Sequence, residues 1–286
     1  MAADTNGRTV LITGATGKQG GAVARQLVGK GFHLRGLTRK PTGDAARALS
    51  ALGVEIAAGD YDDAASIKAA LKGAWGVFSV QAPADGGVKA EEAHGKELAE
   101  LAKAADVQHF VYASVASANR ETGIPHFESK ARIEETVRKS GFPSYTIIRP
   151  TAFMENLLAP FALQGDKLNF GVKPTTVVQM VCVDDIGRFA ALSFTKPTER
   201  NKAEVDLAGD AITLPEAASI LSASLRRNIS FSQTPIEQVR KHSEDMALML
   251  EWLDRVGYNA DIFGLDRKYG FRPLTLAAWS RKQVRT

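Results

Sequence analysis

Short apolar runs alternate with helical patterns along the first two thirds of the chain. Val10, Leu11 and Ile12 have the character of a strand buried on both faces, and Val23, Ala24 and Leu27 follow at helical spacing. Residues 33–38, 54–58, 77–80, 109–114 and 144–148 read as further strands, with helices expected over 63–71, 88–105 and 127–140. This alternation predicts an α/β fold, a doubly wound parallel sheet with right-handed crossovers. After Pro150 the regularity weakens. An insertion over 151–176 is followed by a strand over 177–183, a helix from Asp184 and a returning strand within 204–209. Helices are expected over 211–225 and 235–256, the latter with Val239, Met246, Leu250 and Leu253 near helical spacing.

The junction between the first strand and the first helix carries the chemistry. In TVLITGATGKQGG, Gly14 permits a tight turn, Gly17 lets the backbone approach a pyrophosphate, and Gly20 allows close packing of helix on strand. The helix N-terminus then faces the phosphates. This is the pattern of a dinucleotide-binding turn rather than a purely structural one. The expected organisation is a dinucleotide-binding domain over residues 1–150 plus about 180–208, with a smaller lobe from about 151–179 and 209–286. Ligands of a doubly wound sheet lie beyond the carboxyl ends of its strands. That rule singles out residues 14–20, including Thr16, Lys18 and Gln19, then Arg39, Asp60 and Tyr61, Ser79 with Val80 and Gln81, residues 114–117, and the stretch from Pro150 to Asn156.

The second strand, HLRGLT, would end in a carboxylate if the site preferred NAD, because an acid there bonds the ribose 2′-hydroxyl. Arg39 and Lys40 follow it instead, and no carboxylate comes before Asp44, so the local charge suits a 2′-phosphate. NADP(H) is the expected cofactor, with NAD(H) weaker.

Composition narrows the class without naming a function. At 44% hydrophobic and 24% charged residues, the chain matches a globular protein, and no segment has the apolar length of a membrane span. The net charge of +4, from 36 basic and 32 acidic residues, is dispersed apart from clusters near Arg226 and the 281–285 tail. No basic stripe or reading helix points to direct nucleic-acid binding. One cysteine, Cys182 in an apolar run, excludes an internal disulfide and reads as an inert buried thiol; with an N-terminus lacking a secretory pattern, a cytoplasmic location is expected. No His, Cys, Asp and Glu cluster has metal-ligand spacing, and Asp184 and Asp185 in VDDIG read as a helix N-cap.

Several motifs together resemble the NmrA-like branch of the atypical short-chain dehydrogenase/reductases. They are GATGKQGG from Gly14, LTRKP from Leu37, GDYDD from Gly59, HFESK from His126, RPTAFMENLL from Arg149 and VDDIG from Val183. The family contains redox-sensing regulators and NADPH-dependent reductases. The resemblance implies cofactor-holding roles for Gly14, Thr16, Gly17, Gln19, Gly20, Arg39, Lys40, Asp60, Ser79 and Gln81. It also exposes a departure. Where relatives carry a Tyr-x-x-x-Lys pair, this chain has His126 and Lys130. Lys130 shares a helix face with Ile133 and Val137, so it points inward and needs a partner, which the cofactor ribose would supply. His126 stands just after Pro125 and faces either a pocket, where it would replace tyrosine as acid, or water. Ser114 either orients a substrate carbonyl, as the family serine does, or bonds the end of its own strand. Phe153, Met154 and Asn156 suit an aromatic or quinone-like substrate beside the nicotinamide, or lobe-to-sheet packing.

The resulting expectation is an NADPH-dependent reductase of a small aromatic, quinone or enone-like acceptor. The alternative is a non-catalytic NADP(H) sensor acting through a protein partner; a homodimer is compatible with either.

Overall fold

Residues 7–82 and 86–283 are described by a computed structural model in which two units separate. The first comprises residues up to Ser114, Glu128–Arg149 and Ile186–Val205; the second comprises Val115–Phe127, Pro150–Asp185 and Asp206 onward. Val115–Phe127 and residues 180–185 therefore group with the second unit, whereas the sequence pattern assigned them to the first. Residues 1–6 and 284–286, which include the N-terminal segment and the end of the basic tail, lie outside the described residues.

The first unit alternates strand and helix. Its elements are β1 (Thr9–Ile12), α1 (Lys18–Leu27), β2 (His33–Thr38), α2 (Asp44–Ala51), β3 (Glu55–Ala58), α3 (Ala64–Leu71), β4 (Ala74–Ser79), α4 (Gly87–Ala104), β5 (His109–Ala113), α5 (Pro125–Lys139), β6 (Ser144–Pro150), α6 (Val183–Thr195) and β7 (Ala203–Leu207). Seven strands form one sheet in the order β7-β6-β5-β4-β1-β2-β3. The pairs β1/β2, β1/β4, β2/β3, β4/β5 and β5/β6 are parallel. The order reverses between β1 and β4, the switch point at which such sheets open a crevice for ligands. Val10, Leu11 and Ile12 are wholly buried, as are Ala22, Val23, Ala24 and Leu27 on the facing side of α1. One face of the sheet is filled by Leu11, Val77, Phe110 and Tyr112 against Ile67, Leu98, Ile133 and Val137.

Helix ends follow local chemistry. Asp63 caps α3 by accepting from the amides of Ala65 and Ser66, and Pro125 opens α5 at a position where its missing N–H costs nothing. His109, buried in this unit, donates to or accepts from Ser144 Oγ at 2.9 Å, stacks on Trp75 and meets Phe194 edge-on; burial pushes its pKa down to about 3.

The second unit is built from two small sheets and helices. Val177–Val181 pairs antiparallel with Asp210–Thr213 and parallel with Ala152–Phe153, while Lys167–Phe170 pairs with Ser230–Gln233 and Leu163–Gln164. Two expected helices differ from those formed. Residues 210–213 are a strand, and the helix starts at Leu214 because Thr213 and Glu216 close a reciprocal cap with Pro215 in the first turn. The pattern over 235–256 is split into Ile236–His242 and Glu244–Arg255, since Ser243 takes an extended conformation and its hydroxyl caps the amide of Met246. Phe127, Met154, Leu157, Trp252 and Trp279 share this unit's core, so Met154 serves packing. Among the described residues, no helix is long and apolar enough to cross a membrane.

Candidate active site

The turn after β1 is latched to β4 before it reaches any ligand. Thr13, fully buried, donates its hydroxyl to the carbonyl of Phe78 at 3.1 Å and accepts from the amide of Val80 at 3.0 Å. Gly14 has φ +57°, and a Cβ on Gly20 would lie 2.3 Å from Gly14 O, so both glycines are required by the backbone itself. Gly17 is different. Its φ is −91°, and an added Cβ would meet only Gly14 O, at 3.2 Å. That contact is tight but less severe than the one at Gly20, and Gly17 is exposed together with Thr16 and Lys18. The N-terminus of α1 carries no side-chain cap and no acid in its first turn. Uncapped amides at the end of a helix dipole suit an anion. The side-chain oxygens of Gln19 and Gln81 are buried without a hydrogen-bond partner among the described residues, which adds two acceptors to the same unit. These features fit a dinucleotide's pyrophosphate and hydroxyls.

At the end of β2, Thr38 Oγ1 accepts from the amide of Lys40 at 3.1 Å and lies 3.5 Å from Thr16 Oγ1. Arg39 and Lys40 are both exposed there. Asp44, the first carboxylate beyond, is engaged by Arg47. After β3, the amide of Asp60 donates to Ser66 Oγ, and Tyr61 donates its hydroxyl to Val80 O at 2.9 Å. Gln81 Nε2 donates to Tyr61 Oη and Ser79 Oγ, each at 3.1 Å. The ends of β1, β3 and β4 are thus tied to one another, which brings Asp60, Tyr61, Ser79, Val80 and Gln81 together as expected from strand position.

Lys130 points inward on α5 as its spacing predicts, with Ile133 and Val137 fully buried on the same helix. It has a partner within the chain as well. Glu91 on α4, wholly buried, holds the ammonium at 2.9 Å, and Ser129 Oγ donates to the other Glu91 oxygen at 2.8 Å. Lys130 also donates to Gln81 O at 3.3 Å and lies over the ring of Tyr112. Burial, with the nearby charge of Glu91, raises the Tyr112 hydroxyl well above its ordinary value, so this tyrosine keeps its proton.

Ser114 is also engaged internally. It donates its one hydroxyl hydrogen to Glu134 at 2.6 Å, and Glu134 is clamped by Arg149 and Arg138. The Ser114 hydroxyl is thus directed at Glu134 rather than at the end of its own strand.

The remaining candidates belong to the second unit. His126 Nδ1 lies 2.5 Å from Asp245 Oδ2, and its amide donates to Asp245 Oδ1. Burial opposes ionisation of Asp245, but the bonds from His126 outweigh it and the carboxyl is held below its usual range. Pro150 accepts at its carbonyl from the amide of Ala116, Phe153 pairs with Val181, and Asn156 lies in the short turn Met154–Leu158. The paired acids after Val181 are not the expected cap: Glu155 accepts the amide of Val183, while Asp185, fully buried, accepts from Leu274 N and Cys182 Sγ. Cys182 is buried and inert, its thiol raised far above the ordinary range by burial. Among the described residues, no group of three or more His, Cys, Asp or Glu could hold a metal ion.

Glu91 and Asp245 are the functional candidates the sequence reading missed. Glu91 had a signal: it recurs with Gly95, Leu98, Ala99 and Ala102 on the buried stripe of α4, and a carboxylate on such a stripe demands a cation. Asp245 had none, being 119 residues from His126.

Residues 6–280 match the model of the NmrA-like family. An NmrA-like family domain-containing oxidoreductase of Malbranchea aurantiaca is 36% identical over 169 residues, 54% of this chain and 50% of that protein. The chain thus spans about half the length of that curated relative. The NAD(P)H azoreductase of Xenophilus azovorans is 30% identical over 243 residues, 84% of this chain and 82% of that protein. A solved structure of an NADPH-dependent quinone oxidoreductase from Escherichia coli, complexed with NADPH, superposes with a TM-score of 0.78 at 23% identity. That match covers 96% of this chain and 99% of the other, and at this identity it speaks to fold.

Proposed function

The chain belongs to the NmrA-like family, and on that premise we propose that it is an NADPH-dependent reductase of an aromatic or quinone-like acceptor. The observation that carries the cofactor assignment is the turn at Gly17, which is exposed and opens a helix whose first amides carry no side-chain cap. The 2′-phosphate is assigned to Arg39 and Lys40, two exposed cations at the end of β2, where an NAD-preferring site would place an acid. Asp60, Tyr61, Ser79, Val80 and Gln81 flank the adenosine and ribose portions, and Lys130 donates to the nicotinamide ribose. Bound NADPH supplies a hydride. The residues of the chain hold the nucleotide, exclude water from the buried Lys130 and provide the accompanying proton, which we assign to His126 with its ring held by Asp245. Phe153 and Asn156 are assigned to the acceptor side. The name of the azoreductase relative, which matches over most of both chains, supports an aromatic acceptor.

A second reading is favoured by one observation: both members of the substituted catalytic pair, His126 and Lys130, already have carboxylate partners. A protein that binds NADP(H) and reports it to a partner without turnover needs no more than that. Loss of reduced-nicotinamide absorbance in the presence of quinones, azo dyes and enones separates the two, because only a reductase consumes NADPH steadily.

A further inference from the structure

We propose that Glu91 is a positioning residue, which pins the ammonium of Lys130 so that one N–H is presented to the nicotinamide ribose. The inference rests on the proposed function. An ammonium has three N–H donors on a flexible four-carbon stem. In Lys130 one donates to the backbone carbonyl of Gln81 at 3.3 Å, and the ammonium as a whole is held as an ion pair 2.9 Å from Glu91 Oε1. Glu91 is itself fixed. It has no exposed surface, it lies on the apolar stripe of α4, and Ser129, the neighbour of Lys130 on α5, donates to its second oxygen at 2.8 Å. One carboxylate therefore holds two consecutive residues of α5, Ser129 by a hydrogen bond and Lys130 by an ion pair, and sets the position of that helix turn against the end of β4. A stem held at two points loses little freedom when a ligand takes a remaining donor, which is how preorganisation raises affinity.

The test uses purified full-length protein and two ligands, NADPH and adenosine 2′,5′-bisphosphate; the second lacks the nicotinamide ribose. Glu91→Met removes the acceptor at similar volume, and Glu91→Gln keeps an oxygen toward Lys130 but drops the charge. Calorimetric titration is expected to show NADPH binding weakened about tenfold or more in Glu91→Met and about three- to tenfold in Glu91→Gln, with the bisphosphate unchanged in both. Should Glu91→Met fail to fold by circular dichroism, the Gln variant alone decides. Equal losses for both ligands overturn the positioning role in favour of a structural one. Wild-type affinity for NADPH in the Glu91 variants, with affinity lost in Lys130→Met, overturns it as well. A wild-type protein that binds neither ligand overturns the proposed function instead, and the inference falls with it.

Discussion

Lys130 Nζ lies 2.9 Å from Oε1 of Glu91, a carboxylate without exposed surface. Removing one member of such a pair leaves a buried charge uncompensated, which costs about 3–5 kcal/mol, whereas replacing both by apolar groups is often neutral. Lys130→Met should therefore lose stability of that order in urea unfolding, and Lys130→Met/Glu91→Met should recover most of it. A double variant no more stable than the single one would show that the pair is not energetically coupled. Cofactor affinity should fall in both.

The glycine turn makes a two-part prediction. A Cβ at Gly20 would overlap Gly14 O at 2.3 Å, while one at Gly17 meets the same atom at 3.2 Å. Gly20→Ala should lower the unfolding temperature markedly. Gly17→Val should stay folded by circular dichroism and lose both NADPH and NADH, because the side chain stands where the pyrophosphate approaches. Retained nucleotide affinity in the folded Gly17 variant would remove the turn from the site.

Arg39 separates the two cofactors. A charge-assisted bond to phosphate is worth about 1.5–3 kcal/mol, so Arg39→Ala should weaken NADPH binding by roughly one to two orders of magnitude. NADH should be almost unaffected. Equal losses in calorimetric titrations would contradict the 2′-phosphate assignment.

Stability should fall in mild acid because of His109. Its pKa drops from 6.5 to about 3 in the folded chain, so the neutral ring is favoured by folding and its contribution is complete above pH 6.5. Protonation of the unfolded chain withdraws that contribution as pH falls from 6.5 toward 3. Between pH 6.5 and 4.5 the loss should be about 2–3 kcal/mol. Urea midpoints at several pH values measure it, and His109→Gln should flatten the slope in that window; an unchanged slope would assign the effect elsewhere.

Much of the first unit was legible because its strands are short apolar runs and its helices carry periodic faces. β2 falls on the expected residues 33–38, and β1, the glycine turn and α1 follow the pattern read from them. β4 begins three residues early, at Ala74, because Ala74 and Gly76 are small and buried without adding to an apolar run. The inward direction of Lys130 was legible from the spacing of Ile133 and Val137. Its partner was not, since pairing of α4 with α5 is a tertiary fact that periodicity does not encode. The same limit hid Asp245 behind His126. In the second unit, Thr213 and Ser243 decided boundaries through cap geometry, where a local hydroxyl overrides a helical pattern.

His126 and its partner carry the proton assignment. His126→Phe should leave NADPH affinity unchanged while lowering turnover by roughly 10²-fold or more and removing a titration from the pH profile. Asp245→Asn should shift that profile with the imidazole intact. Full turnover and an unchanged profile in His126→Phe would leave the proton to water or to the acceptor.

The most direct measurement is NADPH consumption by the wild-type protein with a panel of quinones, azo dyes and enones, followed by reduced-nicotinamide absorbance. Steady, acceptor-dependent oxidation of NADPH, lost in Lys130→Met/Glu91→Met, is the expected result. Tight NADPH binding with no oxidation by any acceptor would contradict a reductase and favour a sensor of the nucleotide.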